Sequence, residues 1–262
     1  MSFLHAANFV YVFSGFFVGM LVGITGVGGG SLMTPILILF GIHPATAVGT
    51  DLLYASVTKT GGSLVHGFNH TVDWRIVVRL ATGSVPGAAL ALFVLYELHI
   101  DKNETQFLIT RVLGAALFLT ALALFLRRPL IRAFRQYVGP IDPERVRWLT
   151  VACGFLLGVL VSISSVGAGA IGVTFLILLY PELPMARVVG SDIAHAVPLT
   201  LIAGFGHLLM GSINWALLVT LLIGSLPGIV VGSSLAARLP DNAVRLTLAG
   251  TLLIVCGKML FY

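Results

Sequence analysis

The sequence predicts an all-α integral membrane protein built from two homologous halves, and three observations carry that expectation. The chain has 262 residues, 58% of them hydrophobic and only 10% charged, with mean hydropathy +1.03. Soluble domains hold about 25% charged residues, and the apolar runs here exceed what one globular core can bury. Second, one constant displacement carries Gly49 onto Gly190, Asp51 onto Asp192, His66 onto His207 and Trp74 onto Trp215. It also carries Gly83-Ser84-Val85-Pro86-Gly87 onto Gly224-Ser225-Leu226-Pro227-Gly228, and matches this dense do not come from apolar composition alone. Third, each half is interrupted by a glycine-dense break followed shortly by a carboxylate, a combination that is costly to keep inside a bilayer.

Taken in order, a first span is expected over residues 8–26. Without a basic n-region or an A-x-A-like site, it reads as a retained span rather than a signal peptide. Residues 31–41 form a short helix, too short at 1.5 Å per residue to cross a core of about 30 Å alone. Pro44 suits the first turn of a helix over 44–67. Spans over 74–98 and 105–127 follow, separated by the polar loop from His99 to Glu104. The segment from Arg127 to Arg147 is rich in arginine and holds Pro129, Gly139-Pro140 and Pro143, so it reads as a solvated linker. The second half repeats the plan over 148–165, 170–180, 184–210, 215–238 and 241–261. The domain reading is therefore a first repeat at 1–127, a basic cytoplasmic linker at 128–147 and a second repeat at 148–262. Together these give about eight to ten transmembrane segments, with the short helices either spanning or re-entrant.

Charge sets the orientation. The formal net charge is +5 and the sequence pI about 9.6, but Arg127, Arg128, Arg132, Arg135, Arg145 and Arg147 crowd one connector while the other basic residues are scattered. That is an orientation signal, not a nucleic-acid stripe, and it places the linker in the cytoplasm. An odd number of crossings per half makes the repeats inverted. Arg187, Arg238 and Arg245 then also face inward, and the loop with Glu97, Asp101 and Glu104 faces out. Cys153 and Cys256 stand in separate apolar runs without metal-ligand or CxxC spacing and read as small buried hydrophobes. No cofactor or metal is expected.

The first break is Gly26-Val27-Gly28-Gly29-Gly30-Ser31, and its counterpart is Ser165-Val166-Gly167-Ala168-Gly169-Ala170. Non-helical backbone at membrane depth is tolerated only inside protein or beside a wet cavity. Glycine amides ahead of a helix N-terminus form an anion-attracting nest; the bland alternative is close helix packing through small residues.

The pattern Gly23-Ile24-Thr25-Gly26-Val27-Gly28-Gly29-Gly30, the short apolar helix ending near Pro44, and Ala47-Val48-Gly49-Thr50 resemble the sulfite exporter TauE/SafE family. Gly167-Ala168-Gly169 and Val189-Gly190-Ser191 extend the resemblance to the second half, so it runs over nearly the whole chain. The resemblance implies a bacterial inner-membrane carrier of sulfite, sulfonates and related sulfur-containing anions. A common form of the family motif has Thr-Ser where this chain has Thr50-Asp51 and Ser191-Asp192, a departure that bears on substrate and coupling ion.

The expected substrate-binding set is Thr25, Gly28, Gly29, Gly30, Ser31, Thr50, Lys59, Ser164, Ser165, Gly167, Gly169, Ser191 and His195. Asp51 and Asp192 are the coupling candidates, because an ionised Asp at mid-membrane costs about 3 kcal/mol on insertion scales and is rarely idle; the alternative is that each bonds amides of the neighbouring short helix. Lys59, on the helix of Asp51 and about 12 Å further along it, has Thr200 as its counterpart, and His195 has Tyr54. His66 and His207, beside Trp74 and Trp215, are expected in the interfacial belt, and Pro86 and Pro227 are expected to kink their helices. The function expected is a secondary transporter of a small anion, with protons as the candidate coupling ion. A passive anion channel is the alternative. An intramembrane hydrolase pairing Ser164 or Ser165 with His195 or His207 is disfavoured, because there is no G-x-S-x-G elbow. There is no Walker A pattern. The expected partners are the anion, the bilayer and protons; nucleic acid is excluded, and a homo-oligomer is compatible.

Overall fold

A computed structural model describes residues 2–25, 30–97, 102–137, 142–236 and 249–257. The described chain is helical, with helices α1 (Ser2–Thr25), α2 (Gly30–Leu39), α3 (Pro44–Phe68), α4 (Trp74–Glu97), α5 (Lys102–Tyr137), α6 (Pro143–Ser164), α7 (Ala170–Leu179), α8 (Met185–Leu209) and α9 (Trp215–Ala236). A further helical stretch covers 249–257. Among the described residues, five helices are long and apolar enough to cross a membrane: Trp74–Glu97, Gln106–Phe134, Pro143–Ser164, Met185–Leu209 and Trp215–Gly232. α3 is long enough but falls short in hydropathy because it carries Asp51, Lys59 and a series of Ser and Thr residues. Phe9, Phe13 and Phe17 are exposed at helical spacing along α1, an apolar stripe suited to lipid.

Local signals explain the boundaries. Asp142 caps α6, its side chain accepting from the Glu144 and Arg145 N–H groups, and Pro143 takes the first helical position, where its missing N–H costs nothing. The 127–147 segment, expected as a linker, is largely helical: α5 runs on through Pro129 to Tyr137 and α6 begins at Pro143. Most of its described side chains are exposed, and the arginines extend the helix instead of ending it.

The halves exchange helices. α1 of the first half packs along α9 of the second, and α6 of the second packs along α4 of the first. Both contacts are close enough to require glycine. A Cβ on Gly83 or Gly154 would fall on the carbonyl oxygens of Val151 and Leu80 in the facing helix, and Gly224 and Gly15 meet those of Val12 and Leu221 in the same way. Without a hydrophobic drive between helices in lipid, such backbone-to-backbone contact is what holds membrane helices together. Gly15 faces Leu221 and Gly19 faces Ser225, so α1 and α9 run parallel; Gly154 and Gly158 face Leu80 and Ser84, so α6 and α4 do too.

The centre is α3 against α8. Gly49 meets His207 and Gly62 meets Ile193, so these equivalent helices are antiparallel. Their ends are tied reciprocally. The Asn214 N–H donates to Thr50 Oγ1 (3.1 Å) and the Asp73 N–H donates to Ser191 Oγ (2.8 Å), the same bond with the halves exchanged. Equivalent helices that meet antiparallel have their two-fold perpendicular to the helix axes, the arrangement expected of inverted repeats.

The glycine contacts are testable. Gly83→Ala and Gly224→Ala should each lower the detergent unfolding temperature, by an overpacking cost of about 1–3 kcal/mol. Gly61→Ala, where an added Cβ meets nothing within 4 Å, should not. Thermal unfolding followed by size exclusion reads the difference.

Candidate functional site: two carboxylates and a lysine between the halves

α3 and α8 each carry an aspartate at the same register, and their antiparallel packing buries both: Asp51 is 0% exposed and Asp192 1%. α2 lies against α3, and its Thr34 hydroxyl donates to Asp51 Oδ2. Asp51 Oδ1 has no partner among the described residues. The Ser165 hydroxyl, also without a partner, lies beside this carboxylate. In the second half, α7 passes so close to Asp192 that a Cβ on Gly172 would overlap Oδ1. α7 supplies no such donor, because the hydroxyl it carries, Thr174, donates to the Ala170 carbonyl of its own helix at 2.7 Å. Asp192 Oδ1 is therefore buried and unpartnered among the described residues.

Lys59 enters this space from α3. Its side chain is 6% exposed and its Nζ donates to the Ala168 carbonyl, at 3.5 Å, in the glycine break of the opposite half. The break is shaped for this approach. Ser165 ends α6 in a left-handed conformation, and Gly167 and Gly169 have φ of 122° and 127°, which side chains rarely adopt. Gly169 caps α7 without a side-chain hydrogen bond and the Gly172 N–H turns back to the Gly167 carbonyl at 3.3 Å, which leaves the Ala170 and Ile171 amides at the positive end of the helix dipole.

The remaining polar residues are fixed by the fold. His195 Nε2 is 2.8 Å from Ser84 Oγ in α4, and His207 Nε2 is 2.9 Å from the Ser162 carbonyl in α6; both rings have an unpartnered Nδ1. His207 is thus not the interfacial residue its neighbour Trp215 suggested: at 1% exposure it packs between halves, since its face of α8 turns to α6. His66, half-buried, bonds Thr71 instead. Trp74 and Trp215 are exposed at the starts of α4 and α9. Ser164 donates to the Leu160 carbonyl and accepts from the Val166 N–H, and Thr50 and Ser191 hold the interhelical ties described above. Gly28 and Gly29 lie outside the described residues. Thr25 ends α1, and Gly30 and Ser31 open α2; the side chains of Thr25 and Ser31 also lie outside the described set.

The structure therefore brings together Asp51, Asp192, Lys59, Ser165 and the Gly167–Gly169 break. Thr34, Ser84 and Gly172 join them without having been singled out in the sequence. Thr34 carried a signal, as a hydroxyl inside a short apolar helix; Ser84 sat within the repeated Gly-Ser-x-Pro-Gly motif, where the proline drew the interpretation. None of the four imagined serine–histidine pairings is made among the described residues: Ser164 bonds the Leu160 carbonyl and the Val166 N–H, and Ser165 Oγ has no partner. Among the described residues, no three of His, Cys, Asp and Glu gather as a metal would require.

A family model, Sulfite exporter TauE/SafE, matches residues 11–259. The chain belongs to the TauE/SafE family. It is 37% identical to a probable membrane transporter protein, YjnA, of Bacillus subtilis, over 95% of this chain and 98% of that one. It is 27% identical to YdhB of the same organism, another probable membrane transporter protein, over 91% and 97%. The archaeal relative MJ0441 of Methanocaldococcus jannaschii, a probable membrane transporter protein, is 26% identical over 72% and 68%. No solved structure matches at a significant level. This TauE/SafE chain is thus a multi-pass membrane transporter, and the buried charges are the feature of its centre that a transport function must explain.

Removing the Thr34 hydroxyl leaves a buried carboxylate oxygen unpaired. Thr34→Val should destabilise the protein by about 1–3 kcal/mol, while Thr34→Ser, which keeps the donor, should cost far less. Unfolding in detergent distinguishes the two.

Proposed function

We propose that this TauE/SafE protein is a secondary transporter of a small anion (sulfite, a sulfonate or a related carboxylate) in the inner membrane of a bacterium, working by alternating access with proton coupling. The single observation that carries the reading is the pair of carboxylates at equivalent positions of two antiparallel helices, both buried and each with an oxygen that has no partner among the described residues. A carboxylate that only capped a neighbouring helix would have both oxygens engaged, as buried polar groups normally do. Rigid-body rocking of two inverted repeats about a central site is a common route for such carriers.

Within this reading the roles divide by charge. Lys59, the Ser165 hydroxyl and the open amides at the start of α7 attract the anion, as does the equivalent glycine region Gly28 to Ser31 ahead of α2. Asp51 and Asp192 take up and release protons. The arginines of Arg127–Arg147 face the cytoplasm, which sets the orientation of the cycle.

Reconstituted proteoliposomes loaded with radiolabelled sulfite, methanesulfonate or acetate test the reading. Wild type should show counterflow exchange of at least one of these anions, and uptake of it driven by a pH gradient. Asp51→Asn/Asp192→Asn cannot titrate, and should lose the gradient-driven uptake far more than the exchange. Flux that grows linearly with concentration and shows no counterflow would favour a passive channel. Equal loss of both activities in the folded double variant would place the aspartates in the anion site instead of the coupling step.

A further inference from the structure

The two buried histidines of α8 are bonded through the same ring atom, Nε2, to partners of opposite kind. His207 Nε2 is 2.9 Å from the Ser162 carbonyl. A carbonyl only accepts, so His207 carries a proton on Nε2 and, as a neutral ring, a lone pair on Nδ1. His195 Nε2 is 2.8 Å from Ser84 Oγ, and a hydroxyl can take either role. The surrounding helices decide between them. Thr82, Thr150, Thr174, Thr200 and Thr220 each return the hydroxyl proton to the carbonyl four residues back, and Ser225, the repeat equivalent of Ser84, donates to the Leu222 carbonyl. Ser84 makes no such bond among the described residues; its one partner there is His195. If His195 donated, two buried groups would go unmet, the Ser84 proton and Nδ1. If Ser84 donates to Nε2, only the Nδ1–H is left over. Buried polar groups are paired wherever the fold allows. The ring is therefore neutral, Nε2 accepts from Ser84, and Nδ1 is a buried donor with no partner among the described residues.

The helical register places this donor. α7 and α8 form an antiparallel hairpin joined by residues 180–184. Asp192, seven residues into α8 from Met185, lies against Gly172, seven residues before the end of α7 at Leu179. Three residues on, the same register sets His195 opposite Gly169, about 15 Å from the turn along both helices. That is the level at which Lys59 Nζ meets the Ala168 carbonyl. His195 and Asp192 share a face of α8 and are 0% and 1% exposed. The first half repeats the pattern: Tyr54 stands three residues after Asp51, fully buried, with a hydroxyl that has no partner among the described residues. Each half thus follows its acid, one turn later, with a buried N–H or O–H.

We propose that the His195 Nδ1–H donates to an oxygen of the transported anion, and that Ser84 is the positioning residue that fixes the ring in the donating tautomer. This deepens the anion-transport reading above and rests on it. The ligand class the donor selects is the oxyanion, since a site with a buried donor discriminates against a ligand that cannot fill it. His207 does the reverse, because the lone pair on its Nδ1 repels an oxyanion. Of the two histidines only His195 serves the anion.

The test uses full-length protein, with every variant first checked by size exclusion. Asn places its amide near the position of Nδ1 and Gln near that of Nε2, so the two replacements separate the roles. Exchange of radiolabelled sulfite, methanesulfonate and acetate is measured in proteoliposomes. His195→Gln keeps a partner for Ser84 and loses the Nδ1 donor; it should raise KM roughly ten- to a hundredfold, the scale of one hydrogen bond to a charged group. His195→Asn keeps the donor and should stay within about threefold of wild type. Ser84→Ala releases the ring into either tautomer and should raise KM in the wild-type background, but not on top of His195→Asn. If the histidine only braces α8 against α4, the order reverses, with His195→Gln mild and His195→Asn severe, and that order overturns the proposal. Nitrogen NMR of protein labelled in its histidine rings reads the proton directly. The His195 signals are identified by their loss in His195→Asn or His195→Gln, or by their shift in Ser84→Ala. The proton should lie on Nδ1 of His195 and on Nε2 of His207, and the transported anion should move the first signal and not the second. A proton on His195 Nε2, or an Nδ1 signal that the transported anion leaves in place, also overturns the proposal. A wild type that exchanges none of the three anions is seen before any variant is made and overturns the transport reading, and this inference with it.

Discussion

A carboxylate cannot face lipid, and that constraint organises the molecule. α3 and α8 carry aspartates where a spanning helix should be apolar, so each must be surrounded by protein on every side. The fold achieves this by exchange: α1 of one half lies along α9 of the other, and α6 along α4, which encloses the antiparallel α3–α8 pair. The enclosure depends on helices approaching until backbone touches backbone, which only glycine at Gly15, Gly83, Gly154 and Gly224 permits. The reciprocal ties from Thr50 to Asn214 and from Ser191 to Asp73 then fix the register in which the two carboxylates meet the opposite half.

Much of this was legible in the sequence because membrane insertion writes strong one-dimensional signals. The limits of α2, α3, α4, α7, α8 and α9 fell within about two residues of those expected, and the displacement that maps Asp51 onto Asp192 maps the Thr50–Asn214 and Ser191–Asp73 ties as well. The linker was misjudged because Pro129 and a run of arginines look like a helix end, yet arginine is a good helix former and α5 runs on through them to Tyr137. The companions of the charged residues were not legible. Thr34, Ser84 and Gly172 matter through contacts with other helices, and no local pattern states which hydroxyl will meet which carboxylate. The burial of His207 belongs to the same class: sequence gives its place near a helix end, whereas only packing shows that its ring reaches the Ser162 carbonyl.

Asymmetry inside a symmetric frame is the chemically informative part. α2 supplies a donor to its carboxylate, Thr34 to Asp51, while the hydroxyl that α7 carries, Thr174, turns back on its own helix. His195 meets Ser84 where the equivalent position holds Tyr54, and Lys59 stands opposite Thr200. Two identical halves would give one carboxylate environment twice. These three differences give two environments, one carboxylate held by a hydroxyl and one without such a donor.

The central claim is that the two halves sit in opposite orientations around this shared buried charge, and the ends of α3 and α8 test it most directly. His43 and Met185 are both exposed and stand at the entrances to those helices. With Cys153 and Cys256 replaced by alanine, His43→Cys and Met185→Cys are treated on intact cells with a membrane-impermeant maleimide. The account predicts that His43→Cys is labelled from outside and Met185→Cys only after the membrane is permeabilised. Labelling of both from the same side would contradict it.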